Sequence, residues 1–147
     1  DWSLLEENEG LFRFCKELIA FRKRHPVLRR ERFFHGKSGG VKNAKDISWH
    51  GVEPYKPDWG GYSRVLAVKL FANEKSVNDI YIIFNGWTEE LTFYLPKPPQ
   101  KTKKWHRVID TSMKSPKDIT EEGKGVKLIK QSEYKAMAQS IVVLISK

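Results

Sequence analysis

Hydrophobic positions near the start of the chain recur at intervals of three and four residues. At about 100° per residue, seven of them cover roughly half the circumference of a helix. They are Leu11, Phe12, Phe14, Cys15, Leu18, Ile19 and Phe21. Asn8 suits an N-cap, and Pro26 ends the pattern. The spacing therefore predicts a helix over residues 8–25 with one wide, aromatic-rich face.

A face of this kind requires a partner surface. Arg22 lies near its middle, so covering the face would require a buried acceptor for that guanidinium group. Two partner surfaces are possible: a large neighbouring surface outside this chain, or the β-sheet predicted further along.

Cys15 is predicted to pack in a core rather than to react, because a buried free cysteine behaves as a small apolar side chain.

Residues 35–61 have the glycine and proline content of a loop, with one short strand candidate at residues 47–50. The glycine run at 36–40 predicts a turn, because it lacks the GxxxxGKS or GxxxxGKT spacing of a phosphate-binding loop.

After this loop the pattern changes to that of β-strands, with apolar runs and strict alternation of apolar and polar positions. The strand candidates are residues 62–71, 80–84, 91–95, 105–109, 126–129 and 140–145. Short strands without intervening helices predict a mainly β fold, either an antiparallel β-sandwich or a barrel.

The length of 147 residues suits one domain, or one domain with an appended piece of another. Because residue 1 is Asp rather than Met, we expect the chain to belong to a longer polypeptide. No apolar run approaches the roughly 18 residues of a membrane helix, so no membrane partner is predicted. One cysteine cannot form an internal disulfide, and a reducing, cytoplasmic setting is therefore expected.

The formal net charge of +9 invites the hypothesis of nucleic-acid binding. The basic residues are scattered through apparent loops and helix ends, without helix-turn-helix, zinc-finger or RNA-recognition patterns. A solvated basic surface is the preferred interpretation, and no nucleic-acid partner is predicted.

Residue types that carry hydrolytic chemistry do not cluster. Glycosidases need two carboxylates that flank a bond, yet no acidic residue stands beside a second one at the end of an apolar strand. The four histidines lack metal-ligand spacing, and there is no GxSxG motif. We therefore predict no catalytic residue, no metal site and no cofactor within this chain.

Aromatic side chains crowd the loop before the β region. They are Trp49, Tyr55, Trp59 and Tyr62. Sugar rings stack on exposed aromatic faces, whereas large rings also seal the edges of small cores. Trp59 is a candidate substrate-binding residue on this ground, while Trp87 and Trp105 are interpreted as sealing the core. His50 is the second candidate, although a structural hydrogen bond across the loop is the preferred interpretation of this residue.

Several motifs resemble one enzyme family. Residues 11–28 resemble the last barrel helix of α-amylase-superfamily enzymes, which ends in Arg-Lys-x-His-Pro-x-Leu. Residues 46–51, with 56–59 and 63–67, are similar to bacterial glycogen debranching enzymes and isoamylases rather than to amylases generally. Asn85-Gly86-Trp87 and residues 105–111 match the same group.

The resemblance implies a parent enzyme that hydrolyses α-1,6-glucosidic bonds of glycogen or starch by a retaining mechanism. Its aspartate nucleophile, glutamic acid/base and second aspartate lie on earlier barrel strands, so none is carried over to this chain. Residues 1–34 would be the end of the catalytic (β/α)8 barrel, and residues 35–147 a C-terminal antiparallel β-sandwich.

The implied partners are the enzyme's own catalytic barrel and an α-glucan. A stand-alone carbohydrate-binding module is the alternative function, and a nucleic-acid-binding barrel ranks third.

Overall fold

Two N-terminal α-helices precede eight strands in the part of the chain that the computed structural model describes, residues 1–31, 33–36, 45–72, 78–98, 100–121 and 124–147. The helices are α1 (Leu4–Glu7) and α2 (Glu9–Arg24), followed by a 3-10 turn at Pro26–Arg29. The strands are β1 (Ile47–His50), β2 (Val65–Leu70), β3 (Ile80–Asn85), β4 (Leu91–Tyr94), β5 (Trp105–Asp110), β6 (Val126–Lys127), β7 (Glu133–Ala136) and β8 (Ser140–Ser146).

The strands form two antiparallel sheets. Six strands make the main sheet in the order β1-β2-β3-β8-β5-β6, and β4 pairs with β7 in a smaller sheet. β3 lies between β2 and β8, where Ile82 is opposite Val68 on one side and Val143 on the other. The predicted antiparallel β-sandwich is confirmed.

Each face of the main sheet contributes to a separate apolar core. Val68, Ile80 and Val143 pack toward α2 and the 3-10 turn, where Phe21 and Val27 are buried. The other face carries Tyr81, Ile83, Trp105, Val142 and Leu144, which pack with Phe93 of the smaller sheet. Because both faces are covered, the central strands have continuous apolar runs rather than alternation.

One face of α2 attaches to the sandwich. Phe14 and Phe21 pack into the core, and the Arg13 guanidinium group pairs with the Asp118 carboxylate. Arg13 also donates from Nε to the Ser115 hydroxyl at 3.2 Å. The helix is therefore held to the sheet by two aromatic rings and one charged anchor.

The core packing predicted for Cys15 is wrong, because its side chain is exposed. Cys15 lies on the side of α2 that faces away from the sheet, and so does Arg22, which is also exposed. Most of the predicted apolar face lies there too: Leu11, Phe12, Leu18 and Ile19 are 41–62% exposed. The sequence pattern located the apolar face correctly, but the sheet covers only one edge of it.

Among the helices of the described residues, none has the length and apolar character needed to cross a membrane. The turn predicted at 36–40 lies outside the described residues except for Gly36, whose φ of 65° is in the left-handed region.

Candidate functional site

The candidate site is the loop that joins β1 to β2, residues 51–64, together with β1 itself. In the described part of the chain β1 is an edge strand; it pairs with β2, and His50 is opposite Ala67. The Tyr94 backbone N–H donates to the Val52 carbonyl at 2.8 Å, which connects the start of the loop to the smaller sheet.

His50 organises the interior side of this loop. Its Nδ1 accepts a hydrogen bond from the Tyr55 backbone N–H at 2.9 Å, so the proton of the neutral ring is on Nε2. Nε2 then donates to the Ser48 hydroxyl oxygen at 2.7 Å. The ring is fully buried, and its centroid lies 5.2 Å from that of Tyr81. His50 thus holds Tyr55 in a left-handed conformation, with φ of 63°.

Burial, and to a smaller extent the positive charge of Lys69, lower the pKa of His50 from 6.5 to about 4. The free energy of unfolding is therefore expected to be highest above pH 6.5 and to fall by up to about 3 kcal/mol between pH 6.5 and 4, since only the unfolded chain takes up the proton in that range. His50→Gln, which does not titrate, should flatten this slope in urea titrations at several pH values. Equal slopes for the two proteins would contradict the assignment.

Gly51 allows a close approach of two backbone segments in the same loop. A Cβ at this position would lie 2.4 Å from the Lys56 carbonyl oxygen. We expect Gly51→Ala to lower the free energy of unfolding by about 1–3 kcal/mol, because the backbone must shift to relieve the clash. Gly61→Ala is the matched control, since a Cβ there meets no atom within 4 Å. Equal urea midpoints for the two variants would show that the backbone at Gly51 has room for a Cβ beside the Lys56 carbonyl group.

Trp59 lies on the outer side of the loop with 66% of its surface exposed. Its ring contacts that of Trp49 edge-on, with centroids 5.7 Å apart and planes at 72°. Asp58 Oδ1 accepts from the Gly60 backbone N–H at 2.8 Å and stabilises the turn that presents the ring. A shallow cleft of about 260 Å³ lies beside Trp59 and is also lined by Ser63 and Arg64.

The structure does not bring the two predicted site residues together. Trp59 is at the surface beside a cleft, whereas His50 is in the interior with both ring nitrogens bonded to protein atoms. Contact of either residue with a glucan stays a prediction. Trp105 is fully buried, whereas Trp87 is 42% exposed with the Arg64 guanidinium group 5.8 Å from its ring centroid.

Asp46 was not singled out by sequence, yet it ties the segment after the helices to β1. Its carboxylate accepts from Arg30 at 3.0 Å and from the backbone N–H groups of His35 and Gly36 at 3.0 and 2.9 Å. Burial raises the pKa of Asp46, but the hydrogen bonds from His35, Arg30 and Gly36 outweigh burial, and the net pKa is lowered. The carboxylate is therefore charged, and its role is structural.

A buried ion pair lies deeper in the main sheet. Lys69 Nζ is 3.1 Å from Asp79 Oδ2, and both side chains are almost completely buried. Asp79 Oδ1 accepts from the Ala72 backbone N–H at 3.1 Å, and Lys69 Nζ lies 4.5 Å from the Phe71 ring centroid. The pair joins the ends of β2 and β3. Its charges are compensated internally, so they are not available to a ligand.

Two antiparallel sheets with a helix on the outer face define the class of this protein, a β-sandwich domain with an attached N-terminal helix. The family described as "Isoamylase 1-3, C-terminal" matches residues 48–144, and the chain belongs to this family.

Three relatives illustrate the range of similar proteins. "Isoamylase 3, chloroplastic" of Oryza sativa is 35% identical over 123 residues, covering 83% of this chain and 14% of that protein. "Isoamylase" of Pseudomonas amyloderamosa is 30% identical over 155 residues, covering 99% and 19%. A "Glycogen operon protein GlgX homolog" of Mycobacterium tuberculosis is 33% identical over 129 residues, covering 76% and 18%. The chain spans less than a fifth of the length of these relatives.

Proposed function

We propose that this chain is the C-terminal, non-catalytic part of a debranching glycoside hydrolase that cleaves α-1,6 branch linkages of glycogen or starch. The parent enzyme uses a retaining mechanism, and the acidic residues that carry it out lie outside this chain. Residues 1–34 close the catalytic barrel, and residues 35–147 form the sandwich that supports it. The names of the relatives, isoamylase and glycogen operon protein, support this assignment of substrate class.

The observation that carries the proposal is the two-sided character of α2. One side is anchored on the sheet through Phe21 and the Arg13–Asp118 pair. The other side, together with α1 and Trp2, carries exposed apolar side chains, which we term the helix patch. Its members are Trp2, Leu4, Leu5, Leu11, Phe12, Leu18 and Ile19, each at least 41% exposed. A group of exposed apolar side chains of this size is typical of an interface. In the proposed enzyme the partner is the catalytic barrel, so that α2 lies between the barrel and the sandwich.

The buried carboxylates support a non-catalytic role. Asp46 is occupied by Arg30 and two backbone N–H groups, and Asp79 pairs with Lys69. Asp110 accepts from the Ser112 hydroxyl at 2.6 Å and from the Tyr134 hydroxyl at 2.5 Å. A retaining glycosidase requires two carboxyl groups about 5–5.5 Å apart beside an open site. These three carboxylates instead stabilise the fold.

The test is an assay of reducing ends released from pullulan and amylopectin by the purified chain. We expect no release, with the Pseudomonas isoamylase as the active control. Turnover that co-purifies with the chain would overturn the proposal, because the necessary acids would then lie within these 147 residues.

A carbohydrate-binding module is the second candidate, and the exposed ring of Trp59 favours it. We expect glycogen in a native gel to retard the chain, and Trp59→Ala to weaken the affinity roughly tenfold through loss of one stacking face. Tyr94→Ala is the control, because Tyr94 is an exposed aromatic residue of β4 that is not among the residues lining the cleft beside Trp59. Equal retardation of both variants would exclude Trp59 from the glucan contact.

A further inference from the structure

A basic cleft lies at the end of the smaller sheet, where the chain leaves β4 and where β7 begins. Its volume is about 490 Å³, within the range of small-molecule sites. The lining residues are Leu95, Lys97, Pro98, Gln100, Lys101, Lys103, Lys104, Gln131 and Ser132. None of them belongs to the loop at 51–64 or to the helix patch, so the cleft is separate from both surfaces.

The charge of this cleft is one-sided. Four of its lining residues are lysines, and none of the lining residues in the described part of the chain is acidic. The nearby Glu133 carboxylate is paired with Lys130 at 2.7 Å. Lys103 Nζ donates to the neutral Asn78 side-chain oxygen at 3.4 Å, so this hydrogen bond brings no negative charge to the cleft. Like charges held together favour a bound anion.

The walls of the cleft are held by hydrogen bonds. Gln131 Oε1 accepts from the Trp105 backbone N–H at 2.6 Å, and its Nε2 donates to the Trp105 carbonyl oxygen at 3.1 Å. The Leu95 backbone N–H donates to the Ser132 carbonyl oxygen at 2.8 Å. The lysine-bearing turn is closed by the Lys103 N–H and the Gln100 carbonyl oxygen at 3.0 Å. The backbone that carries the lysines is thus pre-organised, which reduces the entropy lost on binding.

We propose that this cleft binds the phosphate monoester of a sugar. Lysine ammonium groups suit a phosphate dianion as point charges. Pro98 provides apolar surface for the C–H face of a sugar ring, and the exposed Ser132 offers a hydroxyl to its polar groups. Single-stranded nucleic acid is disfavoured, because none of the described lining residues has an aromatic side chain for base stacking. The proposal does not depend on the glycoside hydrolase assignment.

Calorimetric titration of the chain with glucose 6-phosphate, inorganic phosphate and glucose tests the site. We expect glucose 6-phosphate to bind more tightly than phosphate, glucose alone not to bind, and added salt to weaken the binding. Lys101→Ala with Lys104→Ala should weaken binding of glucose 6-phosphate roughly tenfold or more. The matched control is Lys16→Ala with Lys114→Ala, which removes the same charge at exposed positions outside the cleft.

Parallel titrations with a phosphorylated dextrin and a neutral dextrin distinguish the two sources of the ester. Preference for the phosphorylated dextrin assigns the cleft to a phosphate carried on a glucan chain, and preference for glucose 6-phosphate assigns it to a free sugar phosphate. Equal loss of affinity in the control pair would overturn the proposal, and so would absence of binding at millimolar ligand. Tighter binding of an oligonucleotide that depends on Lys101 and Lys104 would also contradict it.

Discussion

Asp79→Asn is expected to lower the free energy of unfolding by about 3–5 kcal/mol, because it leaves the Lys69 ammonium group buried without a counter-charge. The isosteric amide keeps the oxygen that accepts the hydrogen bond from the Ala72 backbone N–H. The decrease in the free energy of unfolding therefore measures mainly the removal of the negative charge. Lys69 is 2% exposed and lies between the Phe71 and Trp105 rings, which cannot hydrate it.

The matched variant is Lys69→Met with Asp79→Asn, which removes both charges and should regain most of the lost stability. Glu121→Gln serves as a surface control: the Glu121–Lys124 pair is solvent-exposed, so its loss should shift the urea midpoint little. If the double variant is no more stable than Asp79→Asn, the unpaired Lys69 charge is not the cause of the lost free energy of unfolding.

The second large effect concerns the helix patch. We expect the isolated chain to self-associate, because apolar side chains of the patch are exposed on α1 and α2. Phe12→Asp with Ile19→Asp should convert it to a monomer of 17.2 kDa in light scattering. These residues lie opposite the face anchored by Arg13, so the fold should be retained.

Ile129→Asp with Met137→Asp is the matched control for this experiment. It places the same charges at exposed apolar positions that lie outside the helix patch, and it should leave the association unchanged. A wild-type chain that is strictly monomeric across a wide concentration range would contradict the interface assignment.

The central strands could be predicted from sequence because burial on both faces leaves a continuous apolar run. β2, β3 and β8 all lie inside the predicted segments or extend them by one residue. β7 was missed because only Ala136 in it is fully buried, so Glu133–Ala136 has no clear apolar pattern. β6 is shorter than predicted, since Val126–Lys127 pairs with two residues of β5, His106 and Arg107.

The orientation of α2 could not be predicted from its own residues. The pattern separates an apolar half from a charged half, yet Arg13 of the charged half lies against the sandwich. Its partner Asp118 is 105 residues away in sequence, and no local signal indicates that pair. The apolar pattern therefore predicts a buried Cys15, whereas the sheet covers the other edge of the helix and leaves Cys15 exposed.

The burial of the polar residues could not be predicted from the sequence either. A lysine at an alternating strand position indicates a solvent-facing side chain, but Lys69 is buried against the Phe71 and Trp105 rings and the Asp79 carboxylate. His50 and Trp59 were recognised as unusual from their aromatic surroundings. Their different depths follow from the turn at Gly51, which brings the Tyr55 N–H onto the His50 ring and leaves Trp59 outside.

The most direct test of the central claim is the size of the native polypeptide that carries this chain. An antibody raised against residues 35–147 should detect, in extracts of the cells that express it, a band several times heavier than 17.2 kDa. That band should coincide with debranching activity in an amylopectin zymogram. A band near 17 kDa, with debranching activity migrating elsewhere, would contradict the account.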